Sequence, residues 1–186
     1  MKKLLLSCFA IMLSVCCAAA PWFAAKFPAK LVNAKGKAVA TASALNGKMV
    51  AVYFSASWCG PCRGFTPELV KFYNSVSKKS NLELVFVSSD RDASSMRKYM
   101  KDYKMPWLAI PFGNSKIKEL KRELGVTGIP TLAVYDKNGK LVTKTARGDV
   151  ATLGNKAVDK WKSSKNVLSG KILKSGNKTR NKNKFK

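Results

Sequence analysis

The residues best suited to chemistry lie in Ser55-Ala56-Ser57-Trp58-Cys59-Gly60-Pro61-Cys62-Arg63-Gly64-Phe65, where two cysteines stand two positions apart. The chain has 186 residues, five cysteines and no histidine, and Cys8, Cys16 and Cys17 all fall in its first 17 residues. Such a pair could exchange disulfides, supply half of a metal site or form a small crosslink. A zinc site commonly needs a second C-x-x-C or histidines, and neither is present. A crosslink over so short a loop constrains little of the unfolded chain. Redox chemistry is the reading the pattern favours, and histidine-based catalysis is excluded.

The two sulfurs are not equivalent. Cys59 is expected where a strand gives way to a helix, so unpaired N–H groups and the positive end of the helix dipole favour its thiolate. That makes it the attacking sulfur. Cys62 lies one turn later on the same side and deeper, within reach of the mixed disulfide that Cys59 forms with a substrate. It is the resolving sulfur. Gly60 and Pro61 are expected to set the tight geometry between them, and Pro61 is tolerated because a first-turn N–H has no intrahelical partner.

The flanking elements are those that could hold such a pair. Met49 to Phe54 is continuously apolar, as in a central strand covered on both faces. Leu69, Phe72, Tyr73 and Val76 then recur at helical spacing, with Lys71, Asn74 and Lys78 on the opposite face. Leu82 to Val87 reads as a second strand. Met96, Tyr99, Met100 and Tyr103 mark one helix face; Ile117, Leu120 and Leu124 mark another, stopped by Gly125. Thr131 to Tyr135 and Leu141 to Thr145 flank Asp136-Lys137-Asn138-Gly139-Lys140, a hairpin signal. Asp149 is placed as the cap of a last helix turning Val150, Leu153, Ala157 and Trp161 inward, which Gly154 weakens by about 1 kcal/mol. Short strands near Leu31-Val32 and Ala38 to Thr41 turn at Lys35-Gly36-Lys37.

The ends of the chain differ from this middle. Lys2 and Lys3, an apolar run from Leu4 to Val15 and the small residues Ala18 to Ala20 have the anatomy of a signal peptide over 1–20. Cleavage after Ala19 is favoured, because Pro21 hinders a cut after Ala20. Leu13-Ser14-Val15-Cys16 offers lipid attachment at Cys16 as the alternative, although Val15 departs from that pattern. Thirty-five basic residues against 10 acidic ones give a net charge of +25. Residues 164–186 hold seven Lys, one Arg and no acid, a basic flexible tail with too little apolar surface to fold alone.

Trp58-Cys59-Gly60-Pro61-Cys62 after an apolar strand, Pro67 five residues beyond the second cysteine, and Gly128-Ile129-Pro130-Thr131 before a later strand together resemble thioredoxins. The wording YFSASWCGPCRGFTPEL, LVFVSSDRD, MPWLAIPF and GVTGIPTLAVYDKNG is similar to the tryparedoxin and nucleoredoxin branch, over roughly residues 28–162. The resemblance implies an α/β thioredoxin-like fold over 26–163: a central mixed β-sheet flanked by helices, with an N-terminal β-hairpin extension. It also implies a cis Ile129–Pro130 bond beside the cysteines, main-chain substrate binding at Ile129, and Trp58 shielding the disulfide and offering an apolar contact. Two positions depart from common patterns. Tyr53 stands where many thioredoxins carry a buried aspartate that accepts the resolving thiol's proton. Gly60 stands where tryparedoxins often have proline, restoring the Gly-Pro dipeptide that goes with a reducing role.

The sequence therefore predicts an exported, periplasmic or extracellular thiol-disulfide oxidoreductase, monomeric, with no cofactor beyond its own Cys59–Cys62 disulfide and no metal. Its partners would be disulfide or dithiol proteins and an unidentified electron donor, and reduction is the expected direction, with oxidase or isomerase as the enzymatic alternatives. A reading from another class makes the chain a polyanion-binding module, its tail touching an anionic cell surface. Specific nucleic-acid binding is not expected, since Phe185 is the tail's one aromatic and stacking capacity is small.

Overall fold

Met49–Ser55 (β3) is buried at all its positions because both of its faces are covered. Its alternation divides the protein into two cores. Met49, Ala51 and Tyr53 point to one side, with Leu84 and Phe86; Val50, Val52 and Phe54 point to the other, with Val85 and Val87. The strand pairs in parallel with Leu82–Ser88 (β4) and antiparallel with Thr131–Tyr135 (β6), so Tyr53 has Phe86 and Leu132 as its neighbours across the sheet.

The computed structural model describes residues 20–164. The remaining elements, in chain order, are α1 (Trp22–Lys26), β1 (Lys30–Val32), β2 (Ala38–Ala40), α2 (Thr41–Leu45), α3 (Gly60–Ser80), α4 (Ala93–Asp102), β5 (Leu108–Ala109), α5 (Lys116–Leu124), β7 (Leu141–Thr143) and α6 (Ala146–Leu153). A 3-10 turn, Gly154–Lys156, leads into α7 over 157–164. Among the described residues seven strands form one mixed sheet in the order β2-β1-β5-β4-β3-β6-β7. This is the predicted architecture, and the N-terminal hairpin joins the sheet through Val32 opposite Ala109 of β5. The signal segment lies outside the described residues except for Ala20, as does the basic tail except for Ser164.

The helix stripes read from the sequence are buried as expected: Leu69, Phe72 and Val76 on α3, Met96, Tyr99 and Met100 on α4, Leu120 and Leu124 on α5. Gly125 ends α5 in the left-handed conformation, which costs glycine least. The turn before β7 is closed by Asp136, whose Oδ1 accepts the Asn138 and Lys140 amides.

Four features differ from expectation. The chain packs from Trp22, ahead of residue 26, because α1 buries Phe23 and sets Trp22 against the Tyr135 ring at 5.5 Å. Trp22 Nε1 donates to the Lys137 carbonyl at 3.0 Å, and a Cβ on Gly139 (φ +82°) would sit 2.5 Å from the indole. Only glycine fits there. β5 is two residues long, too short to leave an alternation pattern. Asp149 does not cap the last helix: α6 begins at Ala146, and the Asp149 carboxylate accepts from Trp161 Nε1 at 2.8 Å and pairs with Lys160. Gly154 ends α6 at φ 51°, ψ −130° instead of merely weakening it, which leaves Leu153 40% exposed while Trp161 is carried inward on α7.

Candidate functional site

Because β3 and β4 are parallel and β6 runs against them, the ends of β3 and β4 and the start of β6 share one edge of the sheet. Residues 56–59, 89–92 and 128–130 are therefore brought together there. Cys59 turns the first of these segments into α3. Its backbone is extended, and its Sγ accepts the Cys62 amide at 3.2 Å, making it the helix cap. That amide is one of those at a helix start with no intrahelical partner. Pro61 in the same turn has no N–H to leave unpaired.

Cys59 and Cys62 are joined in a disulfide with Cα atoms 5.2 Å apart. Cys62 is wholly buried and Cys59 is 6% exposed, which is the order expected from their positions one turn apart. They pack with Ala56 and Ile129. The Ile129–Pro130 peptide is cis, and the Ile129 carbonyl oxygen lies 3.7 Å from Cys59 Sγ. In the disulfide this is a contact; a Cys59 thiol would have a proton to donate there. Pro130 is buried at the start of β6.

Trp58 is 56% exposed and is no core tryptophan. Its ring is fixed at one point, where Nε1 donates to the Ser89 carbonyl at 3.1 Å. Gly60 has no steric task, since nothing lies within 4 Å of a Cβ built on it and its φ is not positive. The turn geometry thus rests on the helix start and Pro61, and another residue at position 60 would fit.

Sequence reasoning missed two supports of the site. The first is the clamp on the loop before Cys59. Asp90, buried, accepts from Ser57 N at 2.8 Å, Ser57 Oγ at 2.7 Å and Ser88 Oγ at 2.7 Å. The acidic stretch Ser88-Ser89-Asp90-Arg91-Asp92 was visible, but not the serine 33 positions away that Asp90 holds. The second lies beneath Cys62. Thr66 Oγ1 donates to the Cys62 carbonyl at 2.8 Å and stands 2.8 Å from Tyr53 Oη and 2.7 Å from Tyr99 Oη; Tyr99 Oη in turn is 3.1 Å from Ser55 Oγ. Burial pushes the Tyr53 hydroxyl well above the ordinary tyrosine range. The position expected to lack a carboxylate is therefore occupied by a neutral, hydrogen-bonded phenol. Of the other acids nearby in the sequence, Glu68 lines an open groove between α3 and α6, and Asp92 caps α4 through Ser95 N.

Several known proteins are similar to this chain. A thioredoxin-like family model matches residues 46–141. Probable nucleoredoxin 1 of Arabidopsis thaliana is 46% identical over 125 residues, 67% of this chain, and the match spans 21% of that relative's length. Tryparedoxin of Trypanosoma brucei brucei is 46% identical over 105 residues, 55% of this chain and 72% of the relative. In three dimensions, tryparedoxin from Trypanosoma brucei superposes with a TM-score of 0.68 at 40% identity, covering 75% of this chain and 97% of the other. Tryparedoxin II complexed with glutathionylspermidine superposes at 0.62 with 36% identity, covering 70% and 88%.

Proposed function

The chain belongs to the thioredoxin-like family, in its tryparedoxin and nucleoredoxin branch, and from that premise we propose that it is an exported thiol-disulfide oxidoreductase that reduces protein disulfides through Cys59 and Cys62. The observation that carries the reading is the asymmetry of the pair. The sulfur at the helix start lies beside exposed Trp58 and the Ile129 carbonyl, while its partner is fully buried one turn behind it.

In the reducing direction the Cys59 thiolate attacks one sulfur of a substrate disulfide. A Cys59–substrate S–S bond forms, the substrate S–S bond breaks, and one substrate thiolate departs. The Cys62 thiolate then attacks Cys59 Sγ, forming the intramolecular disulfide and releasing the second substrate thiolate. Two electrons pass from the enzyme dithiol to the substrate, and a dithiol donor must restore them. The Cys62 N–H and the start of α3 stabilise the negative charge on the Cys59 sulfur as it attacks the substrate disulfide. The extended substrate strand is assigned to the Ile129 main chain beside Pro130, and its apolar contact to Trp58.

The Gly60-Pro61 dipeptide supports reduction over oxidation by resemblance, and the N-terminal segment over 1–20 supports export. Tryparedoxin II forms a complex with glutathionylspermidine, a glutathionyl group on a polyamine. For this chain we assign protein disulfides instead, because basic residues far outnumber acidic ones, 35 to 10 in the full sequence, and repel a polycation with or without Lys2 and Lys3.

Trapping tests the assignment. Cys59→Ser should abolish exchange, whereas Cys62→Ser should accumulate covalent mixed disulfides with its substrates. Retention of partners by Cys59→Ser and not by Cys62→Ser would reverse the two roles. N-terminal sequencing of the protein recovered from its native host tests export, an intact Met1 being the outcome that sinks it.

A further inference from the structure

The edge of the sheet that carries the disulfide also gathers cations that no carboxylate neutralises. Arg63, next to Cys62, sends Nη1 back to the Ser57 carbonyl at 3.4 Å. Lys121 Nζ donates to Ser89 Oγ at 2.9 Å, and the carbonyl of that same Ser89 holds the Trp58 indole. Arg147 lies over the ring of Phe65, one turn beyond Cys62, with Cζ 5.9 Å from its centroid. Arg91 is exposed on the loop that clamps Ser57 through Asp90. Among the described residues, none of these four takes part in an ion pair; the five pairs use Lys26, Lys48, Lys98, Lys116 and Lys160.

Two acids share this edge, both hydrogen-bonded by serines, and the four cations outnumber them. Asp90 is buried and accepts three hydrogen bonds, from Ser57 N, Ser57 Oγ and Ser88 Oγ. Asp92 is exposed, but both of its oxygens accept from Ser95 at the start of α4 and Arg97 lies near it, which holds its carboxyl below the usual range. The large exposed apolar side chain at this edge is Trp58, next to Cys59 in the chain and held through Ser89, the residue that Lys121 also meets.

We propose that this edge selects disulfides set in acidic segments of partner polypeptides, with Arg63, Arg91, Lys121 and Arg147 facing the carboxylates that flank the substrate cysteines. The proposal rests on the reading of Cys59 and Cys62 as a disulfide-exchange pair and names the substrate class of that same site. Four cations around an exposed aromatic act on encounter through the local field and, once the strand is docked, through direct pairing with its carboxylates. A basic segment meets the same field with the opposite sign, so the edge discriminates as much by repulsion as by attraction.

The test uses the full chain and synthetic disulfide-bridged peptides that differ only in flanking Glu, Gln or Lys. At about 0.01 M salt, kcat/KM for the Glu peptide should exceed that for the Lys peptide by at least about tenfold. The ratio should fall toward unity at about 1 M, where the Debye length is about 3 Å. The fourfold variant Arg63→Gln, Arg91→Gln, Lys121→Gln and Arg147→Gln should lose the preference. A variant of equal charge change at the opposite end of the molecule, Lys78→Gln, Lys79→Gln, Lys101→Gln and Lys162→Gln, should keep it. Absence of a Glu preference at low salt overturns the proposal, and so does its survival in the first variant or its loss in the second. Redox-inert peptides with serine for cysteine separate this outcome from failure of the exchange reading itself. The Glu version should shift the Trp58 indole resonance at lower concentration than the Lys version even where no peptide is turned over, and equal shifts overturn the proposal.

Discussion

At the edge of the sheet where β3 and β4 begin, Lys48 pairs with Glu83, Glu83 also accepts from Tyr73 Oη, and Glu123 joins Lys26 to Tyr135. At the edge where the same strands end, Arg63, Arg91, Lys121 and Arg147 have no carboxylate partner, and an indole stands exposed among them. One end spends its polar groups on its own closure. The other holds its loops from beneath, through Asp90, and leaves its outer charges and its aromatic ring available. Changes at the first end should therefore register in stability, and changes at the second in exchange.

The largest stability effect is expected at the closed end. Gly139→Ala places a methyl 2.5 Å from the Trp22 ring at a φ of +82°, so it should cost about 2 kcal/mol or more. Thermal denaturation should show a clear fall in Tm, while exchange by the folded protein stays within about twofold of wild type. Loss of exchange at full stability would erase the division between the two ends.

Asp90→Asn sharpens the comparison because Asp90 belongs to the reactive edge and yet is buried. Replacing a charged acceptor of three hydrogen bonds by an amide should cost about 1.5–3 kcal/mol. The loop carrying Trp58 should loosen, and the Trp58 contribution to fluorescence, taken as the difference from Trp58→Phe, should change. Exchange should slow by no more than about tenfold, less than the 10²–10⁴ lost with a general acid or base. A hundredfold loss at unchanged fluorescence would make Asp90 a proton carrier.

Glu68→Gln and Asp92→Asn should each leave exchange within about tenfold by the same criterion, since Asp92 is committed to Ser95 and Glu68 lines the groove between α3 and α6. A greater loss at either would identify the acceptor of the Cys62 proton.

The smallest effect concerns alkaline pH. Tyr53, Tyr73 and Tyr135 all have hydroxyls raised by burial, Tyr73 and Tyr135 further by the carboxylates they meet. Their neutral forms are favoured in the folded state, so this stability is complete below the unfolded tyrosine pKa of about 10 and is lost progressively above it. Tm should decline above about pH 10, and less steeply in Tyr53→Phe. An equal decline would place the alkaline sensitivity elsewhere.

The sequence by itself determined the parts governed by local pattern. A continuous apolar run made β3, 3.6-residue stripes made α3, α4 and α5, Asp136 to Lys140 made the hairpin turn, and the spacing of Cys59 and Cys62 put both sulfurs at one helix start. Tertiary structure decided what depends on residues distant in the chain. Asp90 reaches Ser57 across 33 positions, Trp58 reaches Ser89 across 31, and Cys59 meets Ile129 across 70. The two-residue β5 exists because β4 and β1 flank it, and Asp149 serves Trp161 because Gly154 turns the chain back. Periodicity and backbone preference act within a few residues and can be read from the order of side chains. A hydrogen bond between loops, or a group of unpaired cations, exists only after the sheet has brought its strand ends to one edge.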